Sequence, residues 1–343
     1  MHKRFIDIIA AALVVFAIGS VSNAQVVTGY NTTSVPPQTD VFVSLPFTRQ
    51  PVGTFTVQGT TSTSIQVTTS TFTSNQFANA FYLRLISGAG KGRFSTITSN
   101  DASTLVLQDP TILTGVVATD TLQIVPHWTL ATVFPDNFEG VSFSLSPNAF
   151  ARTFEILIPR ADVGINKSAS VTYFYQGGTW RTTTAATGNF DNDVLVPQRH
   201  FILRNRNSVA SGKTVTFTTL GYIDPVAPAV RIHRDPIRDD LVVSTGLPLP
   251  TRLSRLHLGG FEAFQTTNAP LIPSNFRDLV LVYNNNTTGF NKAAQATYFF
   301  SGGFWRSTAA PTTNANEDIL PAGAAITIRK FQGTAADFFW TQP

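Results

Sequence analysis

The chain has no cysteine among its 343 residues. That removes disulfides, thiolate metal ligands, iron–sulfur chemistry and cysteine nucleophiles together. Charge is scarce as well. Asp, Glu, Lys and Arg make up 13% of the chain, about half the usual share. The formal charge is only +4, too near neutral to hold a phosphate backbone, so no nucleic-acid partner is expected. Beyond the first two dozen residues no apolar run approaches the ~20 residues of a spanning helix. No transmembrane segment is expected there. Disorder is excluded from the other side, because 43% of the residues are hydrophobic. With no disulfide to constrain the unfolded state, stability has to come from buried surface, and this length suffices for two or three cores.

What is present begins with an address. Lys3 and Arg4 precede the apolar stretch Ile8–Ile18, and Ser22-Asn23-Ala24 supplies small residues for cleavage. Residues 1–24 therefore read as a secretory signal peptide. The expected location is outside the cytoplasm: periplasm, outer surface or extracellular space.

Thr, Val and Phe dominate the remainder, and β-branched and aromatic side chains suit a half-buried pleated surface. The expected class is all-β with little helix. Residues 25–41 read as an extended N-terminal arm. Residues 42–127 carry short period-2 runs separated by polar turns, among them Thr54–Val57, Ser64–Val67, Phe81–Ile86, Arg93–Ile97, Ser103–Leu107 and Asp120–Pro126. That spacing predicts a small barrel or sandwich module. Residues 128–222 and 253–343 read as two duplicated β units. The proline-marked, charged stretch 223–252 reads as a linker or long loop. One short helix is expected within Ser254–Phe264.

The duplication is explicit. YFYQGGTWR (Tyr173–Arg181) returns as YFFSGGFWR (Tyr298–Arg306), 125 residues later. Gly164–Arg204 aligns without gaps to Gly289–Arg329 with 18 of 41 positions identical, which marks a repeat. Each copy opens on Gly-x-Asn-Lys and turns at Gly177-Gly178 or Gly302-Gly303, where glycine accepts the positive φ of a primed hairpin. The candidate binding residues follow: Trp180, Arg181, Trp305 and Arg306. An indole beside a guanidinium can stack on a sugar ring or a partner's aromatic group. The alternative is architectural, with each Trp plugging its own unit and each Arg capping a carboxylate.

Other constellations are weaker. Asp191, Asp193, Glu317 and Asp318 lie in matching acidic turns and are the candidate calcium ligands, with backbone-bonded turn chemistry as the competing account. In Arg231–Asp240, His233 with Asp235, Asp239 or Asp240 forms a conceivable hydrolytic pair, without a companion motif, against the plainer reading of an exposed, self-neutralising loop. Ser87–Arg93 is glycine-rich, but Arg93 opens a strand where a phosphate loop would open a helix. No cofactor is expected.

The leader, Thr39–Pro46 (TDVFVSLP), the Ser-Gly-Ala-x-x-Gly-Arg hairpin at Ser87–Arg93, Trp128-Thr129-Leu130 with Phe134-Pro135, and Gly-Gly-x-Trp-Arg followed by an Ile-Arg strand form one set. Together they resemble an uncharacterised family of secreted proteins found chiefly in Verrucomicrobia. Pro321-Ala322-Gly323 departs from that pattern by lacking an aromatic two residues on. The resemblance implies secretion and a β-rich fold, and it carries no activity. The functional expectation is a non-catalytic structural or surface-associated protein that binds itself or an envelope or extracellular polymer. The alternative is a carbohydrate-binding protein acting through the Trp/Arg hairpins.

Overall fold

The computed structural model describes residues 28–68, 71–135, 148, 151–233, 237–259, 264–333 and 337–342. The expected signal peptide lies outside them. Two strands open the chain, β1 (Thr28–Val35) and β2 (Thr39–Ser44). Six more follow: β3 (Gly53–Thr60), β4 (Ser64–Val67), β5 (Phe81–Leu85), β6 (Phe94–Asn100), β7 (Thr104–Leu107) and β8 (Thr121–Pro126). These close a barrel in the order β3-β4-β7-β6-β5-β8. Alternation explains closure, since Val57, Ile65, Leu83, Ile97, Leu105 and Leu122 all point into one core.

The chain then runs through β9 (Trp128–Thr129), the single turn α1 (Leu130–Val133), β10 (Phe154–Pro159), β11 (Ala169–Gln176), β12 (Thr179–Thr182), β13 (Val194–Leu195), β14 (His200–Asn205) and β15 (Val215–Tyr222). The last stretch holds β16 (Ala229–Ile232), β17 (Asp239–Ser244), β18 (Thr251–Arg252), β19 (Leu279–Val282), β20 (Ala296–Ser301), β21 (Phe304–Ser307), β22 (Ile319–Leu320), β23 (Ala325–Lys330) and β24 (Phe338–Thr341). The protein is nearly all β, as its composition predicts.

Two matching five-stranded antiparallel sheets result, β12-β11-β10-β14-β2 and β21-β20-β19-β23-β17. Each is accompanied by a two-stranded ribbon, β1–β15 in the first unit and β16–β24 in the second. Each unit has its own core, one around Trp180, Phe134 and Phe217, the other around Trp305, Phe264 and Trp340.

This topology corrects the expected boundaries. The arm at 25–41 is, from Thr28 on, strand β1 and the start of β2, both integral to the first unit. The stretch 223–252 is no linker, since it holds β16, β17 and β18 of the second unit. The cause is the barrel, which interrupts the first unit between Phe47 and Trp128, whereas the second unit runs from β17 to β18 through a short loop. The strands ahead of the interruption repeat at 200 residues and not at 125: Asp40–Ser44 (DVFVS) and Asp240–Ser244 (DLVVS). Register confirms the equivalence, with Asp40 opposite Arg204 and Asp240 opposite Arg329. The expected helix within Ser254–Phe264 is only a 3-10 turn, Leu253–Leu256, before residues outside the described set. The Ser87–Arg93 hairpin is a docking tip. Gly92 O accepts from Ala229 N–H at 2.8 Å, and the Arg93 guanidinium lies 4.4 Å from the Phe339 ring centroid.

Candidate functional site

The repeated hairpins are consumed by internal contacts. Gly177 and Gly178 have φ of 63° and 84°, Gly302 and Gly303 of 61° and 82°, so each pair makes the left-handed turn that delivers its Trp inward. Trp180 is 1% exposed and Trp305 2%. Trp180 meets Phe134 and Tyr175 edge-on, and Trp305 meets Phe264 and Phe300 likewise. Neither ring can stack on a ligand. The Arg residues do not cap carboxylates either. Arg181 donates to Gln176 O at 2.9 Å and Ala186 O at 2.6 Å, and Arg306 to Ser301 O at 3.2 Å and Thr312 O at 2.9 Å. They tie each hairpin to its own following loop.

The acidic turns have the same character. Asp191 accepts from Trp180 N–H at 2.8 Å, and its counterpart Asn316 from Trp305 N–H at 2.9 Å. An amide replaces a carboxylate without loss, which fits a backbone acceptor and not a cation ligand. Asp193 accepts from the Tyr173 hydroxyl at 2.6 Å and Asp318 from Tyr298 at 2.9 Å. Burial, with the neighbouring carboxylate, pushes both phenols well above their ordinary pKa. Glu317 is exposed and pairs with Arg252 at 2.8 Å. Among the described residues no cluster of three His, Cys, Asp or Glu is placed to hold a metal.

The Gly-x-Asn-Lys loops have a role that sequence reading missed. Each crosses to the opposite unit and clasps its Arg–Asp pair. Arg204 forms a two-pronged pair with Asp40 at 2.7 and 2.8 Å. Asn291 of the second unit accepts from Arg204 at 2.8 Å and donates its N–H to Asp40 at 2.7 Å. Reciprocally, Arg329 pairs with Asp240 at 2.7 and 2.8 Å, while Asn166 of the first unit accepts from Arg329 and donates to Asp240, both at 2.7 Å. Gly289 O and Gly164 O each accept the Asp40 or Asp240 N–H at 2.9 Å. The two units thus meet about a pseudo-twofold axis, as a symmetric dimer would. Phe42 stacks on Tyr283 across the seam at 4.1 Å, and His200 Nδ1–H donates to Val243 O at 2.9 Å. Burial lowers the His200 pKa to about 4.

The pseudo-twofold relation predicts two equivalent openings along the seam, and they differ greatly. One is a cleft of about 1130 Å³ between the β1 ribbon and β2 on one side, and the loops after β19 and β22 on the other. The other is about 180 Å³. The difference begins at one pair of positions. Gly323 and Gln198 are equivalent by the repeat and share a left-handed backbone, φ 59° and 60°. Ser44 Oγ donates to Gly323 O at 2.8 Å, and Ser244 N–H to Gln198 O at 3.1 Å. At 323 there is no side chain, and the cleft stays open. At 198 the buried Gln side chain lies beside Gly246, as does that of buried Gln342.

Charge divides the two openings further. Among the described residues, Asp318 is the only charged one lining the large cleft, and Tyr298 occupies its carboxylate. Asn31, Thr33, Asn286 and Gln295 also line it, and their side chains make no hydrogen bond to other described residues. Ile319, 61% exposed, and Pro36, Pro250 and Pro321 supply apolar surface. The small opening is lined by Asp109, Arg160, Arg199, Arg231, His233 and Asp240, with Phe94 and Asp109 coming from the barrel.

His233 sits there with its Nε2 3.1 Å from Asp239 Oδ2. Asp239 is fully buried and also meets Lys167 at 2.9 Å and Gly164 N–H at 2.8 Å. Asp235 lies outside the described residues. Among the described residues, the opening's lining has no Ser, Thr or Lys to serve as a nucleophile beside the imidazole. The sequence signal for the clasps was present in the paired Gly-x-Asn-Lys and in DVFVS/DLVVS. The neutral cleft has no motif, because it is assembled from segments some 250 residues apart. Compared with known proteins, the chain matches no family model, no curated protein and no solved structure.

Proposed function

We propose that the protein is an exported, non-catalytic, surface-associated β protein that holds an uncharged envelope or extracellular polymer, and that it belongs with the secreted Verrucomicrobial proteins it resembles. The carrying observation is the large cleft with its neutral lining. Unpaired amides and hydroxyls flanked by Ile and Pro surfaces match a ligand that offers hydroxyls along an apolar C–H face, which describes a neutral polysaccharide. A charged polymer would leave its charges without partners there, at a desolvation cost. The contact surface is therefore this cleft and not the Trp/Arg hairpins.

Co-sedimentation with insoluble neutral polysaccharides and with a crude envelope fraction tests the reading. Binding should survive high salt, since no ion pair contributes, and should be lost in Gly323→Gln. Gln at the equivalent position 198 shows that this backbone carries the longer residue. Protein that stays in the supernatant with every neutral polymer, or Gly323→Gln that binds like the parent, rejects it. A second reading, self-association, is favoured by one feature. Tyr30 and Leu220 face each other across the β1–β15 ribbon and are 77% and 64% exposed. A sedimentation coefficient independent of protein concentration would reject that reading.

A further inference from the structure

A second difference between the units points to covalent chemistry. β19 and β23 pair from Leu279 opposite Arg329 onward, and the next residue out on each chain is Asp278 and Lys330. Asp278 is 0% and Lys330 1% exposed, and the Lys330 Nζ donates to Asp278 Oδ2. The first unit has Phe154 opposite Asn205 at the equivalent register position, so this pair is not needed to build the fold. The Phe264 ring centroid lies 5.2 Å from Nζ, and Phe264 belongs to the second unit's core. Asp278 Oδ1 accepts from Phe331 N–H at 2.7 Å, and Oδ2 from Gln265 N–H at 2.6 Å.

We propose that Lys330 and Asp278 condense into an intramolecular amide. Burial disfavours keeping two full charges apart from water, which brings the neutral amine and acid within reach of the ion pair. The aligned strands hold Nζ against the carboxyl group, replacing a bimolecular encounter by a positioned one. The ammonium gives one proton to Oδ2, and the freed Nζ lone pair attacks Cγ. Phe331 N–H holds the oxyanion that develops on Oδ1. The nitrogen then gives a second proton to Oδ2, the Cγ–Oδ2 bond breaks, and one water leaves. The products are an amide N–H and that water, so atoms and charge balance with no other reactant. The link would close a loop between residues 52 positions apart, as a disulfide does in chains that have cysteine.

Peptide mapping of the purified full-length protein by tandem mass spectrometry tests this. The expected result is one branched peptide joining the Asp278 and Lys330 segments, short by one water and absent from Lys330→Arg. Near-complete conversion is expected, because both groups are buried in every folded molecule. Recovery of the two segments only as separate peptides at full mass overturns the proposal, and that measurement on the parent protein needs no variant to fold. It is independent of whether the cleft binds a polymer.

Discussion

The two openings along the seam occupy equivalent places in a duplicated molecule, yet one is wide and neutral and the other narrow and charged. The hairpins and clasps, by contrast, match almost bond for bond. Trp180 and Trp305 are buried alike, and Asn166 and Asn291 make the same reciprocal contacts. Duplication therefore kept what holds the units together and diverged at a few positions elsewhere, some of them buried. Repetition in the sequence marks architecture here. Its breaks, at Gly323 against Gln198 and at Asp278–Lys330 against Phe154–Asn205, mark the places where function can reside.

The symmetric part of that comparison is easiest to break through the indoles. Trp180→Ala and Trp305→Ala should each cost about 3–5 kcal/mol, the usual penalty for emptying a fully packed aromatic site. Urea denaturation would show it, and tolerance of either variant would end the equivalence of the two cores.

Acid should weaken the seam next. Burial lowers the pKa of His200, and also of His127 where the barrel joins the first unit, to about 4. Unfolded imidazoles take up protons below about pH 6.5 while these two resist, so the unfolded state binds more protons and stability decreases as the pH is lowered. The loss should run from about pH 6.5 down to about pH 4, on the order of 3 kcal/mol per residue. Melting temperature against pH measures it, and His200→Gln should flatten the curve. A flat parent curve over that window would contradict burial of both rings.

The clasps come third. Asp40→Ala and Asp240→Ala each strand a mostly buried Arg, and each should cost roughly 2–3 kcal/mol after discounting for its partial exposure. Equal losses in thermal melts sharpen the pseudo-twofold relation, and a silent variant breaks it. Smallest is Gln198→Gly. It relieves a left-handed residue and gives up buried contacts, so stability should shift by about 1 kcal/mol or less. The narrow opening should then widen in a crystal structure.

Much of the fold was readable in advance. Alternation from Thr54 to Pro126 defines the barrel strands, and the glycine pairs define both hairpins. What was not readable has one physical origin. The barrel interrupts the first unit after Phe47, so DVFVS and DLVVS repeat at a different spacing from the hairpins, and β1, β2, β16 and β17 pass for arm and linker. The site was less legible. Residue type singled out Trp180 and Trp305, but Trp is as useful in a core as on a surface, and only burial separates the two. Asn31 and Asn286 gain meaning only when the fold brings them to one cleft.

Hydrogen–deuterium exchange, with and without soluble fragments of a retained neutral polysaccharide, tests the central claim most directly. Protection should appear at residues 31–34, 283–286 and 319–324, with none at 160–161 or 196–199. Protection at the narrow opening or at the hairpins 177–181 and 302–306, or none anywhere, would contradict it.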